Sequence, residues 1–382
     1  MAQARHEQGE ARVKLGSLEI GRFIAALMVM LSHVAPYVNG HAASPSQKIF
    51  GGMLFPGPLG VQYFFVLSGF VMASAHHGDF GKLASAPKFW WRRACRIYPA
   101  YWLALCIPLY YLCGSTTSIR ALHLVLLDPW HGDDYIPAAW SLRYEMAFYI
   151  MFGLALLPYA GKPLLAFWVF FTIWRWGVLD SLGLHPPVLF AVNRFVSVYG
   201  DKFAAAFEFY FFAGLAAGFL YARVRAGPRS SVALLAVAAL LLMLCLPRED
   251  WGIDYKSPLF MLGMAFVIAG NILGLALLER HRIIRLGKYA AWAGAMSYPL
   301  YIFHEPVMLI ITNSLPWGQH HAPGLYLRFA AITAATLAIA ALVTFAYDQP
   351  LQHQLRRLVK VKRPGALPLD RTKGRRPLDP AT

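Results

Sequence analysis

The chain is poor in charge, and acidic side chains are especially scarce. Of its 382 residues only 14% are charged, with 19 aspartates and glutamates against 35 lysines and arginines, while 58% are hydrophobic. Soluble globular domains are typically about one quarter charged. Because so few polar side chains cannot cover the surface of a water-soluble fold, we exclude that class. The mean hydropathy of +0.47 agrees with this exclusion.

The sequence also has few cysteines and lacks the spacing of a metal site. Its four cysteines form no CxxC pair, and three of them lie inside apolar runs, where a thiol packs as a small hydrophobic group. The 13 histidines are scattered, and the doublets His76-His77 and His320-His321 lie at the ends of apolar runs. We therefore expect no disulfide framework and no bound metal.

Long apolar runs are abundant, by contrast, and recur from Leu18 almost to the end of the chain. A run of about 20 residues crosses the hydrocarbon core of a bilayer. We predict an all-α polytopic membrane protein with about ten transmembrane helices. The predicted spans are Leu18–Val38, Leu54–Ala75, Ile97–Cys113, Ala139–Pro158, Pro163–Leu179, Phe203–Ala222, Val232–Leu246, Pro258–Leu278, Tyr289–Asn313 and Tyr326–Tyr347.

The first run is interpreted as a permanent span and not as a signal peptide, because it contains Arg22 and His33 and is longer than a signal core. Three segments result. Residues 1–17 form a cytoplasmic N-terminal segment, residues 18–351 a transmembrane domain, and residues 352–382 a basic tail of disordered composition. We expect this tail to lie near anionic membrane lipids.

Charge in the connecting segments gives an orientation. Most lysines and arginines fall in alternate connections and in the tail, as in 82–96 and 223–229, whereas the other connections hold aspartates such as Asp133 and Asp134. Since cytoplasmic loops are enriched in basic residues, both termini are predicted to be cytoplasmic. The net charge of +16 then reflects membrane orientation. No base-stacking or groove-reading motif points to nucleic acid.

Two ionisable residues of the first span share a face. Arg22 and His33 are eleven positions apart, so on a helix they differ by about 20° around the axis and lie about 16 Å apart along it. Ionisable groups inside spans are costly, which makes each a functional candidate. Both are predicted to line one cavity. The alternatives are an interfacial anchor for Arg22 and a hydrogen-bonded structural role for His33.

Other polar residues of the spans can be interpreted as either functional or structural. Arg93 and Arg96 are one turn apart at a cytoplasmic boundary, where they can hold phosphates or simply mark the boundary. Glu145 needs a partner other than Arg143, since side chains two positions apart on a helix diverge, and it either forms a structural pair between helices or acts at the reaction centre. His304 follows a proline in a broken helix, which is tolerated mainly beside protein or a water-filled cavity, so its role is either structural or functional.

Taken together, these motifs resemble the acyltransferase-3 family of bacterial membrane acyltransferases, which modify exopolysaccharide, lipopolysaccharide O-antigen, Nod factors, peptidoglycan and macrolides. The resemblance runs in family order from residue 18 to about 351, with Asp348-Gln349-Pro350 departing from a glutamate found in many members. The matching segments are Arg22-x10-His33, Gly57-Pro58-Leu59-Gly60 through Ser68-Gly69-Phe70, Arg93-x2-Arg96-Ile97-Tyr98-Pro99, Trp140-Ser141-Leu142 with Glu145 and Phe148-Tyr149, and Ser297-Tyr298-Pro299-Leu300-Tyr301 with His304 and Pro306.

The resemblance implies O-acyl transfer, with acetyl as the expected group, from cytoplasmic acyl-coenzyme A to a sugar hydroxyl of a lipid-linked or exported glycan at the bacterial inner membrane. The predicted partners are acetyl-coenzyme A or another acyl-coenzyme A, a glycan or glycolipid acceptor and membrane lipid, with no nucleic acid and no defined oligomeric state. His33 is the candidate base, because imidazole has a pKa of about 6.5. The other expected roles are catalytic for Arg22 and Glu145, coenzyme-binding for Arg93 and Arg96, and substrate-binding for Trp140, Ser141 and His304.

A glycolipid transporter or flippase is the competing class, since several spans with buried charges also suit a translocation path. A transporter moves its substrate without changing its acyl content. A deletion strain whose glycan has lost an acetyl group would therefore favour the acyltransferase.

The orientation is testable by cysteine labelling in a variant whose four cysteines are replaced by alanine. Asp133→Cys should react with a membrane-impermeant maleimide in cells with a permeabilised outer membrane. Thr382→Cys should react only after the inner membrane is opened. The opposite reactivity would reverse the predicted orientation.

Overall fold

The structure, a computed structural model, describes residues 15–111, 124–127, 135–178, 201–245, 257–284, 286–314 and 322–358. These residues are almost wholly helical and form no β-strand, which confirms the predicted all-α class. Eleven α-helices are described: α1 (Gly16–Asn39), α2 (Gly57–His76), α3 (Ser85–Tyr111), α4 (Trp140–Ala155), α5 (Gly161–Arg175), α6 (Glu208–Arg223), α7 (Pro228–Cys245), α8 (Pro258–Arg280), α9 (Lys288–Ser314), α10 (Ala322–Leu342) and α11 (Gln349–Leu358).

Helices α1 to α10 follow the ten predicted spans in order. Within the described residues, five helical segments are long and apolar enough to cross a membrane. They are α1, α2, α7, α8 and the continuous segment Pro323–Leu355, which runs from α10 into α11. The chain is therefore a membrane protein, as its hydropathy indicates.

The largest difference from the predicted boundaries is in α3, which begins at Ser85 instead of Ile97. Hydropathy detects only the apolar half of this helix, while the basic half before it is equally helical. Pro87 lies in the first turn, where a missing backbone N–H costs little. Arg93 and Arg96 are consequently carried on a helix and not on the loop that precedes it.

The end of the transmembrane domain also differs from expectation. After α10 the chain continues as a π-helix, Val343–Asp348, and then as α11, so helical structure passes residue 351 and reaches Leu358. π-helical turns are rare and often occur at functional sites. The expected tail beyond Leu358 and the first 14 residues of the expected N-terminal segment lie outside the described residues.

The first turn of α1 is capped by a side chain from another helix. Glu279 of α8 accepts hydrogen bonds from the backbone N–H groups of Gly16 (2.7 Å) and Ser17 (2.9 Å) and from the Ser17 hydroxyl (2.6 Å). The N–H groups of a first helical turn have no partner within the helix, and a carboxylate there also meets the positive end of the helix dipole. Glu279 thus fixes the height of α1 in the bundle.

Helices α2 and α6 approach each other closely through glycines. A Cβ atom on Gly214 would collide with the carbonyl oxygen of Val66, and one on Gly69 would collide with that of Phe211. Small residues let backbones approach in membranes, where dispersion contacts replace the hydrophobic effect. Phe148 of α4 stacks on Phe211 with ring centroids 3.9 Å apart. This packing fixes α2, α4 and α6 as the frame that holds Ser68 and Glu145.

We predict that Gly214→Ala destabilises the bundle while Gly263→Ala does not. Both changes improve helix propensity equally, but Gly263 has no atom within 4 Å of an added Cβ, whereas Gly214 has the backbone of α2. Overpacking typically costs about 1–3 kcal/mol. Thermal unfolding in detergent should therefore show a lower midpoint for Gly214→Ala alone. Equal midpoints for the two variants would contradict the close approach.

Candidate active site

A cavity of roughly 740 Å³, including its open mouth, lies between helices α1, α2, α3, α4 and α9. Five helices contribute polar side chains to its lining. They are Arg22, Ser68, Arg93, Arg96, Ser141, Glu145, Tyr149, Ser297, Tyr298 and Tyr301.

The cavity is positively charged, because Arg22, Arg93 and Arg96 line it together with a single carboxylate, Glu145. Arg22 has Glu19 of its own helix 3.5 Å away. In the described part of the chain, neither Arg93 nor Arg96 lies within 4.0 Å of a carboxylate. Guanidinium groups in such a place bind anionic oxygens strongly and often through two hydrogen bonds.

Arg93 is further held by aromatic rings. Its guanidinium carbon lies 5.4 Å from the ring centroid of Phe89 and 5.3 Å from that of Tyr149. Cation–π contacts of this kind satisfy a cation without neutralising it. Arg93 is therefore oriented in advance and keeps its charge available to a ligand.

Glu145 receives two hydroxyl donors at the same carboxylate oxygen. Ser68 Oγ donates to Oε1 over 3.0 Å, and Tyr149 OH donates to the same atom through a short hydrogen bond. These hydroxyls are the partners that the sequence left unidentified for Glu145. Because both bonds go to Oε1, the second oxygen is left to meet a ligand in the cavity.

His33 and His304 form a pair beside the cavity. His33 Nδ1 lies 2.8 Å from His304 Nε2, the two rings are within 5° of parallel, and their centroids are 5.0 Å apart. His304 is fully buried, whereas His33 is partly exposed. The cavity lining includes Arg22 but neither histidine. Tyr301 borders both places, since it lines the cavity and its ring centroid is 6.0 Å from that of His304.

Glu305 completes a cluster with the two histidines. One ligand-type atom from each of His33, His304 and Glu305 lies within 4.8 Å of the others, a spacing that a metal ion would also accept. The 5.0 Å between the ring centroids is close to the 2.8 Å between the two nitrogens plus the distance from each ring centre to its own nitrogen. Each nitrogen is therefore directed towards the other ring. Two ligands of one ion would instead converge on a common point. The geometry therefore fits a hydrogen-bonded pair.

The turn before α4 is clamped to α9 at Ala138. Its N–H donates to Glu305 Oε2 over 2.6 Å, and its carbonyl oxygen accepts from Tyr301 OH over 2.8 Å. Since that tyrosine proton is used, Ser141 Oγ donates to Tyr301 OH over 2.6 Å. Ser141 lines the cavity as a consequence. Trp140 is not among the lining residues and packs on Tyr144 and Phe207.

Comparison with known proteins identifies the family. Residues 15–345 match the family described as acyltransferase domain. The chain belongs to the acyltransferase-3 family. No solved structure matches it.

Three curated relatives are similar to this acyltransferase-3 protein. Peptidoglycan O-acetyltransferase OatA of Listeria monocytogenes is 25% identical over 339 residues, which cover 78% of this chain and 51% of the relative. Acyltransferase MdmB of Streptomyces mycarofaciens is 33% identical over 37% of this chain and 39% of its own length. Protein 2 in picA locus of Rhizobium radiobacter is 32% identical over 36% of this chain and 61% of its own length. The chain thus spans about half the length of the curated relatives it matches.

Some site residues of this acyltransferase-3 chain were not predicted from the sequence. Ser68 and Tyr149 lie inside quoted motifs, and Tyr149 is one turn from Glu145, which was an available signal. Tyr301 also lies inside a quoted motif, but its contacts with Ala138 and Ser141 depend on how α4 meets α9. Asp348, at the departure from the family pattern, is buried in the π-helix, where Gln352 donates to its Oδ2 over 2.8 Å.

Proposed function

We propose that this protein is an O-acyltransferase of the bacterial inner membrane, with both termini cytoplasmic. It moves an acyl group, most simply acetyl, from cytoplasmic acyl-coenzyme A to a sugar hydroxyl of a lipid-linked or exported glycan such as exopolysaccharide or lipopolysaccharide. The proposal rests on the arginine-lined cavity of an acyltransferase-3 chain. Tyr301 belongs to the lining of this cavity, and its ring lies 6.0 Å from that of His304.

The charge of the cavity supports coenzyme A as the donor. Coenzyme A is a polyanion, and Arg93 and Arg96 lie in the basic half of α3, at the end of the bundle that the loop charges assign to the cytoplasm. Their guanidinium groups would bind its phosphates. The name of one relative, a peptidoglycan O-acetyltransferase, supports acetyl as the transferred group.

The length of α1 separates the roles of Arg22 and His33. At about 16 Å apart along the helix, the two side chains cannot act on the same carbonyl group. We therefore assign Arg22 to the phosphate end of the donor and His33 to the reacting end. Glu145 lines the cavity with an unshared oxygen, and it would accept a hydrogen bond from an amide of the donor's pantetheine arm.

The reaction needs one base. His33 would accept the proton of the sugar hydroxyl while the hydroxyl oxygen attacks the carbonyl carbon of the thioester. A C–O ester bond forms, the C–S bond breaks, and the proton passes to the departing thiolate, which leaves as coenzyme A thiol. In this scheme Ser141, which is hydrogen-bonded to Tyr301 in the cavity lining, borders the substrate, while His304 is buried behind His33. Trp140, which packs outside the cavity, would shape the acceptor side only through the helix that it begins.

The donor site is tested by the double variant Arg93→Ala/Arg96→Ala. Hydrogen bonds to charged groups are worth about 1.5–3 kcal/mol, so the affinity for coenzyme A should fall at least about tenfold. The measurement is calorimetric binding to protein in nanodiscs. Arg92→Ala is the matched control, because Arg92 is an exposed neighbour outside the cavity lining. Unchanged affinity in the double variant would remove these arginines from the donor site.

The base is tested by His33→Ala. Purified protein in nanodiscs, given labelled acetyl-coenzyme A and glycolipid from its own membrane, should lose transfer by roughly 10²–10⁴-fold, since general base catalysis contributes that much. Affinity for coenzyme A should persist, because the cavity does not include His33. His41→Ala serves as the control, since His41 contacts the backbone oxygen of Tyr37 outside the pair. Full transfer by His33→Ala would contradict the role of this histidine.

A further inference from the structure

The hydrogen bonds of His304 fix where its proton lies. His304 Nδ1 is 2.6 Å from the backbone oxygen of Tyr301. A carbonyl oxygen can only accept, so Nδ1 carries the hydrogen. His304 is fully buried, and a buried charge without an ionic partner is costly, which favours the neutral ring. The nearest carboxylate of the cluster, Glu305, is engaged by the N–H of Ala138. A neutral ring with its proton on Nδ1 has a lone pair on Nε2.

The lone pair on His304 Nε2 in turn determines which nitrogen of His33 carries the proton. His33 Nδ1 lies 2.8 Å from His304 Nε2, each nitrogen is directed towards the other ring, and the two rings are within 5° of parallel. Because His304 Nε2 can only accept, His33 Nδ1 must donate. A neutral His33 then has its proton on Nδ1 and its lone pair on Nε2. This is the ring edge turned away from the buried histidine.

We propose that His304 is a positioning residue, which holds His33 in the tautomer whose Nε2 atom accepts the proton of the acceptor hydroxyl. The inference rests on the proposed function, in which His33 is the base. It assigns His304 a task different from contact with substrate. The Tyr301 carbonyl, His304 and His33 form one chain of hydrogen bonds that ends at the reacting nitrogen.

The same chain supports the reaction after proton transfer. When His33 takes the hydroxyl proton on Nε2, its ring becomes a cation with hydrogens on both nitrogens. His304 Nε2 continues to accept from Nδ1 and so stabilises the cation without moving. The proton then leaves from Nε2 to the departing thiolate, and the starting tautomer is restored. No oxidant, metal or additional acid is needed for this balance.

The tautomer can be observed without any substitution. In protein labelled with ¹⁵N-histidine and reconstituted in nanodiscs, the imidazole nitrogens of His33 are assigned by their loss in His33→Gln. We expect a protonated Nδ1 and an unprotonated Nε2 of His33 at neutral pH. A His33 with its hydrogen on Nε2 would overturn it.

Two variants of His304 separate positioning from a merely structural role. His304→Gln retains an amide oxygen that can accept from His33 Nδ1, whereas His304→Leu fills the space and accepts nothing. His304→Leu should lower kcat by about 10²-fold or more with little change in KM for the donor, because it removes the constraint on the base. His304→Gln should recover most of that loss. Equal kcat in the two variants would overturn the proposal.

A further variant controls for stability and separates this inference from the proposed function. His281→Leu also removes a histidine hydrogen bond to a backbone oxygen, that of Ala226, and His281 lies at the end of α8, outside the cavity lining. It should leave kcat unchanged. If His33→Gln abolishes transfer while His304→Leu keeps full kcat, the positioning role fails and the function stands. If His33→Gln itself keeps full transfer, the proposed role of His33 as base fails.

Discussion

Ionisable side chains are costly to place in a medium without water, and this cost determines where the charged residues of the bundle lie. Such groups must face one another or a cavity inside the bundle. Arg22, Arg93, Arg96 and Glu145 meet this requirement by lining one cavity, and His33 meets it by pairing with His304. The apolar and aromatic contacts between α2, α4 and α6 supply the rigid frame around them. The polar groups of the site are thus also what defines the interior of the fold.

Two groups of polar side chains lie along the length of α1. Arg22 belongs to a positively charged cavity shared with the basic half of α3, while His33 pairs with His304, whose ring lies 6.0 Å from that of Tyr301. The clamp on Ala138 ties the start of α4 to α9 between these regions. Because Tyr301 contributes to the cavity, to the clamp and to the carbonyl that holds His304, a displacement of α9 would affect all three together.

Much of the fold could be predicted from the sequence, because lipid requires long apolar helices and the loop charges alternate. The start of α3 could not, since helices continue into charged interfacial segments that hydropathy does not detect. Within the site, the 3.6-residue period placed Arg22 on its face, and motif spacing drew attention to Glu145 and His304. The contacts of these residues could not be predicted. Ser68 reaches Glu145, and His33 reaches His304, only through packing between helices distant in the sequence.

The proposed reaction requires one path from the arginine-lined cavity to the histidine pair. A cryo-EM structure with a non-transferable thioether analogue of acetyl-coenzyme A would show this path. We predict phosphate density against Arg93 and Arg96, the pantetheine arm along Glu145, and the acyl end past Tyr301 within reach of His33 Nε2. An analogue bound outside this cavity, or one whose acyl end points away from His33, would contradict it.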